Sequence, residues 1–325
     1  MPKANSVAAI TPITEPITAN SNNCYSRPTQ RSVRHSIDNH FIMMHSDPDA
    51  PILPPARVAV DDLPIVEDSS LAQARDGRLS LAQGGSALNN QAALTEKALA
   101  VHQPLCTLYH CPIPFFAERD PLSELVSSLL SHRTKNRDSA VAYQHLRQRF
   151  PTWAGVRDAD EAAVRTAIQS ATWPEQKAPR IQAVLRQITE LQGELSLAFL
   201  ASLTVPAARA WLEALPGVGP KTSAATLLFS NLRRPALPVD SHHYRVAVRV
   251  GLIPTNTSLI AAHRKLEALL PAGWDAQQVY DHHEVMMLHG QRCCYFDRPA
   301  CERCPVREIC DFYSAQQPSV QQLRK

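Results

Sequence analysis

Wherever apolar residues recur regularly in this chain, they recur with the spacing of a helix and nowhere with the sustained alternation of a strand. Leu122, Leu125, Val126, Leu129 and Leu130 stand at i, i+3, i+4, i+7 and i+8, which places them on one helical face. Ile181, Val184, Leu185, Ile188 and Leu191 repeat that face. Asp120-Pro121 supplies a cap and a first-turn proline ahead of the first of these runs. The pattern predicts further helices near 92–109, 137–149, 159–169, 176–192, 196–202, 206–214, 220–231, 241–250, 257–270 and 275–289, joined by short links that carry Pro or Gly. The expected fold class is therefore all-α.

Residues 1–89 read differently. They are rich in Pro, Ser, Asn and Ala, with nine prolines before residue 65, and no apolar period persists. Such a segment buries too little surface to offset its ordering entropy, so a disordered N-terminal extension is expected there. From residue 90 onward the apolar share suffices for a packed core; over the whole chain it is 44%. No run is long and apolar enough for a membrane span, and the N-terminus lacks an apolar secretory core. Arg27, Arg31 and Arg34 in a Ser/Thr/Asn-rich, acid-poor start keep an organelle transit segment open.

The net charge of +3 is unevenly spread. Residues 1–100 hold 8 Lys/Arg against 10 Asp/Glu, and the remainder holds 25 against 20. A mild basic excess permits nucleic-acid binding without requiring it.

Two motifs carry chemistry. The first is Leu215-Pro216-Gly217-Val218-Gly219-Pro220-Lys221-Thr222, between the end of one predicted helix and the start of the next. Two glycines allow a tight turn and a close approach to a ligand. The amides of such a turn and of the following helix start point at an anion, and a DNA phosphate suits them. Lysine must be neutral to attack an electrophile, and its ordinary pKa is about 10.4. A helix start and partial burial both favour the neutral form of an amine. The second motif is the cysteine run. Five of the eight cysteines fall between residues 293 and 310. Cys294, Cys301, Cys304 and Cys310 are spaced C-x6-C-x2-C-x5-C, which suits four thiolates holding zinc or a [4Fe–4S] cluster. Cys293 reads as a free neighbour, and Cys106 and Cys111 as core or surface thiols.

The hairpin octapeptide resembles the helix-hairpin-helix of the endonuclease III family of DNA repair glycosylases. Pro238-Val239-Asp240-Ser241-His242 stands where that superfamily carries its aspartate, 19 residues past Lys221. The cysteine spacing also matches the family's iron–sulfur loop. The resemblance covers about residues 92–313 and implies a two-lobed fold. Residues 121–232 would form a six-helix barrel with the hairpin, while 90–120 and 233–325 would form a cluster domain. It implies a bifunctional DNA N-glycosylase/AP lyase acting on oxidised pyrimidines in double-stranded DNA. Lys221 is then the Schiff-base nucleophile, Asp240 the carboxylate that stabilises positive charge on the sugar, and Cys294, Cys301, Cys304 and Cys310 the [4Fe–4S] ligands. Gly217, Val218, Gly219, Thr222 and His242 are placed against DNA, and Arg292, Arg298, Arg303 and Arg307 make the cluster loop basic. A monomer is implied, in the cytoplasm or nucleoid of a bacterial source, with nucleus or organelle left open. The adenine-removing relatives lack a lysine at position 221. The alternative reading is a non-catalytic helix-hairpin-helix DNA-binding protein with a structural metal.

The sequence departs from the family where the DNA gap would be filled after a nucleotide is flipped out. The segment Leu129-Leu130-Ser131-His132-Arg133-Thr134 carries Arg133 in the place of a glutamine, and Asn136, a candidate helix cap, in the place of an aspartate. Trp173 aligns with a second, usually leucine, wedge. These changes bear on base preference. His243, His282 and His283 lack any metal motif and are expected in a polar interior or facing DNA.

Overall fold

The computed structural model describes residues 81–317. Twelve helices follow one another: α1 (Leu81–Tyr109), α2 (Pro121–Ser131), α3 (Asn136–Arg149), α4 (Trp153–Asp158), α5 (Glu161–Ala167), α6 (Pro174–Gln192), α7 (Val205–Glu213), α8 (Pro220–Phe229), α9 (Ser241–Val250), α10 (Leu259–Glu267), α11 (Ala276–Arg292) and α12 (Asp311–Ser314). Extended pairing among the described residues is limited to one isolated bridge, Arg119 with Ser230. The chain is all-α, as the helical spacing predicts. None of these helices is long and apolar enough to cross a membrane.

The described part has two apolar cores. The first gathers residues between Leu122 and Ala236, centred on Leu125, Leu129, Ile181 and Leu185. Each leucine buried there contributes roughly 1.5–3 kcal/mol. The second is discontinuous in sequence: Ala98, Val101 and Leu105 of α1 pack with residues from Leu228 to Cys310. The chain thus starts in one core, builds the other, and returns.

Local capping explains several boundaries. Asp120 accepts from Ser123 N at 3.0 Å, with Pro121 first in α2. Asp275 and Gln278 form a reciprocal capping box at α11. Three features differ from expectation. Helix α1 begins at Leu81, so order reaches nine residues into the segment 1–89; the rest of that segment lies outside the described residues. Helix α4 was not foreseen. Asn136 is the first residue of α3 and not its cap, which is Lys135 with no side-chain bond.

The second core buries an unusual amount of imidazole. His243 and His282 are almost fully enclosed, and both ring nitrogens of His243 and Nδ1 of His282 lack a partner. Burial holds the His282 pKa down to about 3 and that of His243 well below the usual value. The unfolded chain takes up these protons near pH 6.5 while the folded chain refuses them. Stability is therefore full above pH 6.5 and falls as pH drops below it, by about 1.4 kcal/mol per pH unit per ring. Glu284 opposes one ring, because burial and then Asp240 and Asp281 raise its pKa to about 7, so it favours the fold as pH falls. Melting temperature should be flat from pH 8 to 7 and decline from 6.5 to 5; a flat profile to pH 5 would show that these rings charge without unfolding the core.

Candidate active site

The hairpin between α7 and α8 is tight. Val218 N donates to Leu215 O at 3.1 Å, and Gly217 takes φ +75°. A Cβ at Gly217 would also lie 2.5 Å from Cδ of Arg180, a flexible side chain that would have to move, so it is the positive φ that calls for glycine there. Gly219 differs from expectation: its backbone is extended (φ −111°, ψ −177°), and a Cβ would meet nothing. Its smallness matters only to something arriving from outside. The Val218 and Thr222 side chains turn inward, so contact with an external ligand from either would run through the backbone. Pro220 and Lys221 open α8, whose first amides have no partner within the helix. Lys221 is half-buried at that end.

Lys221 lines one pocket together with Arg133, Trp173, His132, Lys177 and Arg180. Residues from three helix boundaries, nearly 90 positions apart in the chain, thus meet at the hairpin lysine. Among the described residues none of the four cations is in an ion pair. A pocket with this charge suits a phosphate-bearing ligand. Arg133 and Trp173 both take left-handed backbone, φ +50° and +53°, at a cost of order 1–3 kcal/mol each. Pro174 disfavours right-handed helical geometry at Trp173. The indole is 46% exposed, which excludes a core role, and the Arg133 guanidinium lies 6.0 Å from its ring centre.

What holds the Arg133 loop is a residue to which the sequence assigns no role. Lys177 is buried and donates to Leu130 O at 2.7 Å, His132 O at 2.8 Å and Thr134 Oγ1 at 2.7 Å. Burial, then Arg180, lowers its pKa to about 8. His132 bonds through Nε2 to Thr222 Oγ1 at 2.8 Å, linking the loop to the residue after Lys221. Burial, then Lys221, Lys177 and Arg180, lowers the His132 pKa to about 4, so it remains neutral.

Asp240 caps α9, accepting from His243 N at 2.7 Å. The extended segment that delivers it is pinned by two histidines. His263 Nε2 accepts from Val239 N at 3.2 Å while Nδ1 donates to Leu259 O, and His283 Nδ1 donates to Pro238 O at 2.8 Å. Burial lowers the His283 pKa, with the Asp240 charge opposing that shift and Lys221 adding to it. His242 is half-buried, its Nδ1 3.1 Å from the Arg245 guanidinium and its backbone pressed against Gly290.

Cys294, Cys301, Cys304 and Cys310 line one cavity, whose walls include Val246, Val306 and Phe312. Burial raises the thiols of Cys301, Cys304 and Cys310, that of Cys304 to about 12. Thiols so disposed stay protonated until a cation draws off the protons, and four soft donors around a shared space fit a metal group. Arg249 approaches Cys294 Sγ at 3.4 Å. Of the loop arginines, Arg307 is held by Glu308 at 2.8 Å. Cys106 and Cys111, expected from the sequence as core or surface thiols, are instead joined in a disulfide. After α1 the chain folds back, Cys111 N donates to Cys106 O at 3.0 Å, and the Cα atoms come within 5.0 Å.

The chain is similar to known proteins in sequence and in fold. The model of the HhH-GPD superfamily of base excision DNA repair proteins matches residues 126–272. An endonuclease III of Thermotoga maritima is 31% identical over 197 residues, 60% of this chain and 85% of that protein. A protein of Arabidopsis thaliana named as a DNA glycosylase is 29% identical over 192 residues, 59% of this chain and 64% of its own length. The solved structure of a trapped endonuclease III–DNA covalent intermediate has a TM-score of 0.58 at 21% identity, covering 68% of this chain and 97% of that one, a likeness of fold.

Proposed function

We propose, from the premise that this chain belongs to the endonuclease III family of base excision DNA repair proteins, that it is a bifunctional DNA glycosylase/AP lyase acting as a monomer on double-stranded DNA with oxidised pyrimidines. The observation that carries this reading is the pocket that gathers Lys221, Arg133 and Trp173 beside the hairpin. A damaged nucleotide is flipped out of the stack to be processed, and the vacated gap needs filling. Arg133 and Trp173 serve as gap fillers, Arg133 by hydrogen bonding and charge and Trp173 by stacking. The hairpin amides around Gly217 and Gly219 hold a phosphate of the same strand, and His242 faces the backbone from the start of α9.

The neutral amine of Lys221 attacks C1′ of the flipped nucleotide. The C1′–N bond to Lys221 forms as the glycosidic bond breaks, the base departing with the bonding pair and the amine losing a proton. The C1′–O4′ bond then opens, O4′ taking up a proton, to leave a protonated Schiff base, from which removal of a C2′ proton expels the 3′ phosphate by β-elimination. The Asp240 carboxylate stabilises the positive charge that develops on the sugar. Cys294, Cys301, Cys304 and Cys310 would hold a [4Fe–4S] cluster, which would tie the 294–310 segment together beside α9 and supply no base chemistry. Borohydride reduction on an abasic-site duplex tests the reading. A covalent adduct is expected; stable binding without any adduct would instead favour a non-catalytic DNA-binding module.

Trp173→Ala should weaken affinity for an abasic-site duplex by about 1–3 kcal/mol, the usual worth of base–aromatic stacking. The indole is 46% exposed, so no large cavity is created and melting temperature should change little. Unchanged affinity at fixed salt would remove Trp173 from the interface and leave Arg133 as the remaining gap filler.

A further inference from the structure

The cavity near the C-terminus is lined by five thiols, one more than the four-thiolate set requires. The fifth, Cys293, is buried. It ends the last turn of α11, where Cys293 N donates to His289 O, so His289 and Cys293 stand four residues apart on one helical face. Cys304 is brought to that face by the turn that follows Cys301, and its Sγ lies 3.4 Å from His289 Nε2. One ligand atom from each of His289, Cys293 and Cys304 lies within 4.8 Å of the other two. The other ring nitrogen, Nδ1 of His289, stands 3.5 Å from the Tyr109 hydroxyl, an outer partner of the sort that orients a ligating imidazole.

This spacing differs in kind from that of a cluster site. Tetrahedral nitrogen and sulfur ligands at about 2.0–2.3 Å from one zinc ion stand roughly 3.5–4 Å from one another. The thiolates of a cubane each bind a different iron and must stand further apart, and Cys294, Cys301 and Cys310 are outside the compact group. We propose that His289, Cys293 and Cys304 form a second metal site, for a single soft divalent ion such as zinc, which overlaps the cluster site at Cys304 and fills only in molecules that lack the cluster. The sharing of Cys304 rests on the cluster reading above. Binding replaces two thiol protons by the ion and leaves the fourth position to water or a neighbouring thiol. No electron transfer is involved.

The test uses the full chain purified from cells grown either with ample iron or with scarce iron and added cobalt, a visible reporter for a zinc site. Iron, sulfide and cobalt per chain and the visible spectrum are measured on soluble protein. The wild type should carry about four irons in the first condition and about one cobalt, with the intense visible bands of a tetrahedral thiolate site, in the second. Cys293→Ser should keep its iron in the first condition and lose cobalt at least about tenfold in the second. Cys294→Ser should do the reverse, losing iron and keeping cobalt. Cobalt retained by Cys293→Ser at the wild-type level, or lost by Cys294→Ser as fully as its iron, would overturn the second site. A wild type without iron in the iron-rich condition would instead refute the cluster and leave the cobalt result standing by itself.

Discussion

Lys221→Gln should abolish the borohydride adduct and reduce strand cleavage at an abasic site by at least about a thousandfold, or about 4 kcal/mol at 1.4 kcal/mol per factor of ten. Glutamine matches lysine in helix propensity, so α8 should start unchanged and the melting temperature should move little. Duplex binding should persist, since Arg133, Arg180 and Lys177 still line the pocket. Two lysines face that pocket, and the structure distinguishes them. The Lys177 amine donates to three acceptors of the 130–134 segment and has no free lone pair to offer. Lys177→Met should therefore loosen the Arg133 loop and weaken binding while still forming an adduct. An adduct at wild-type yield from purified Lys221→Gln would make another amine the nucleophile, with Lys177 the first to examine.

The parts of this site legible in the sequence are those whose chemistry is local. Asp120-Pro121 and Asp240-Ser241 are caps because an oxygen and an amide three residues apart meet wherever a helix begins, and both bonds are present. Gly217 is legible as a turn residue for the same reason. Helix α4 was missed because its six residues are too few to show a period, although Thr152 ahead of it does accept from Gly155 N. Asn136 reads as a cap by residue type, but the chain enters α3 one residue earlier. The remaining gaps are tertiary. Lys177 looks like any surface lysine; its burial depends on three oxygens from a segment more than 40 positions away. His263 carries no motif, yet it fixes the extended segment that delivers Asp240. The Cys106–Cys111 pairing requires the chain to reverse after α1, which no spacing announces.

Two jobs are proposed for Asp240, and one pair of variants separates them. Its carboxylate caps α9 through His243 N, and its charge is proposed to oppose the cationic character that develops on the sugar. Asparagine keeps an oxygen in the capping position and removes the charge. Asp240→Asn should therefore fold with an unchanged melting temperature and lose base excision by about 100- to 1000-fold, the usual cost of removing one preorganised electrostatic group. Alanine removes both, so Asp240→Ala should add a stability loss of about 1 kcal/mol to the same loss of rate. The step that suffers can also be read. The charge opposes positive character on the sugar, so cutting of a damaged base should fall further than cleavage of a preformed abasic site, where the base has already gone and only Lys221 addition and elimination remain. Equal losses on the two substrates would mean that Asp240 acts chiefly on the Lys221 amine, and wild-type excision by Asp240→Asn would confine the residue to its cap.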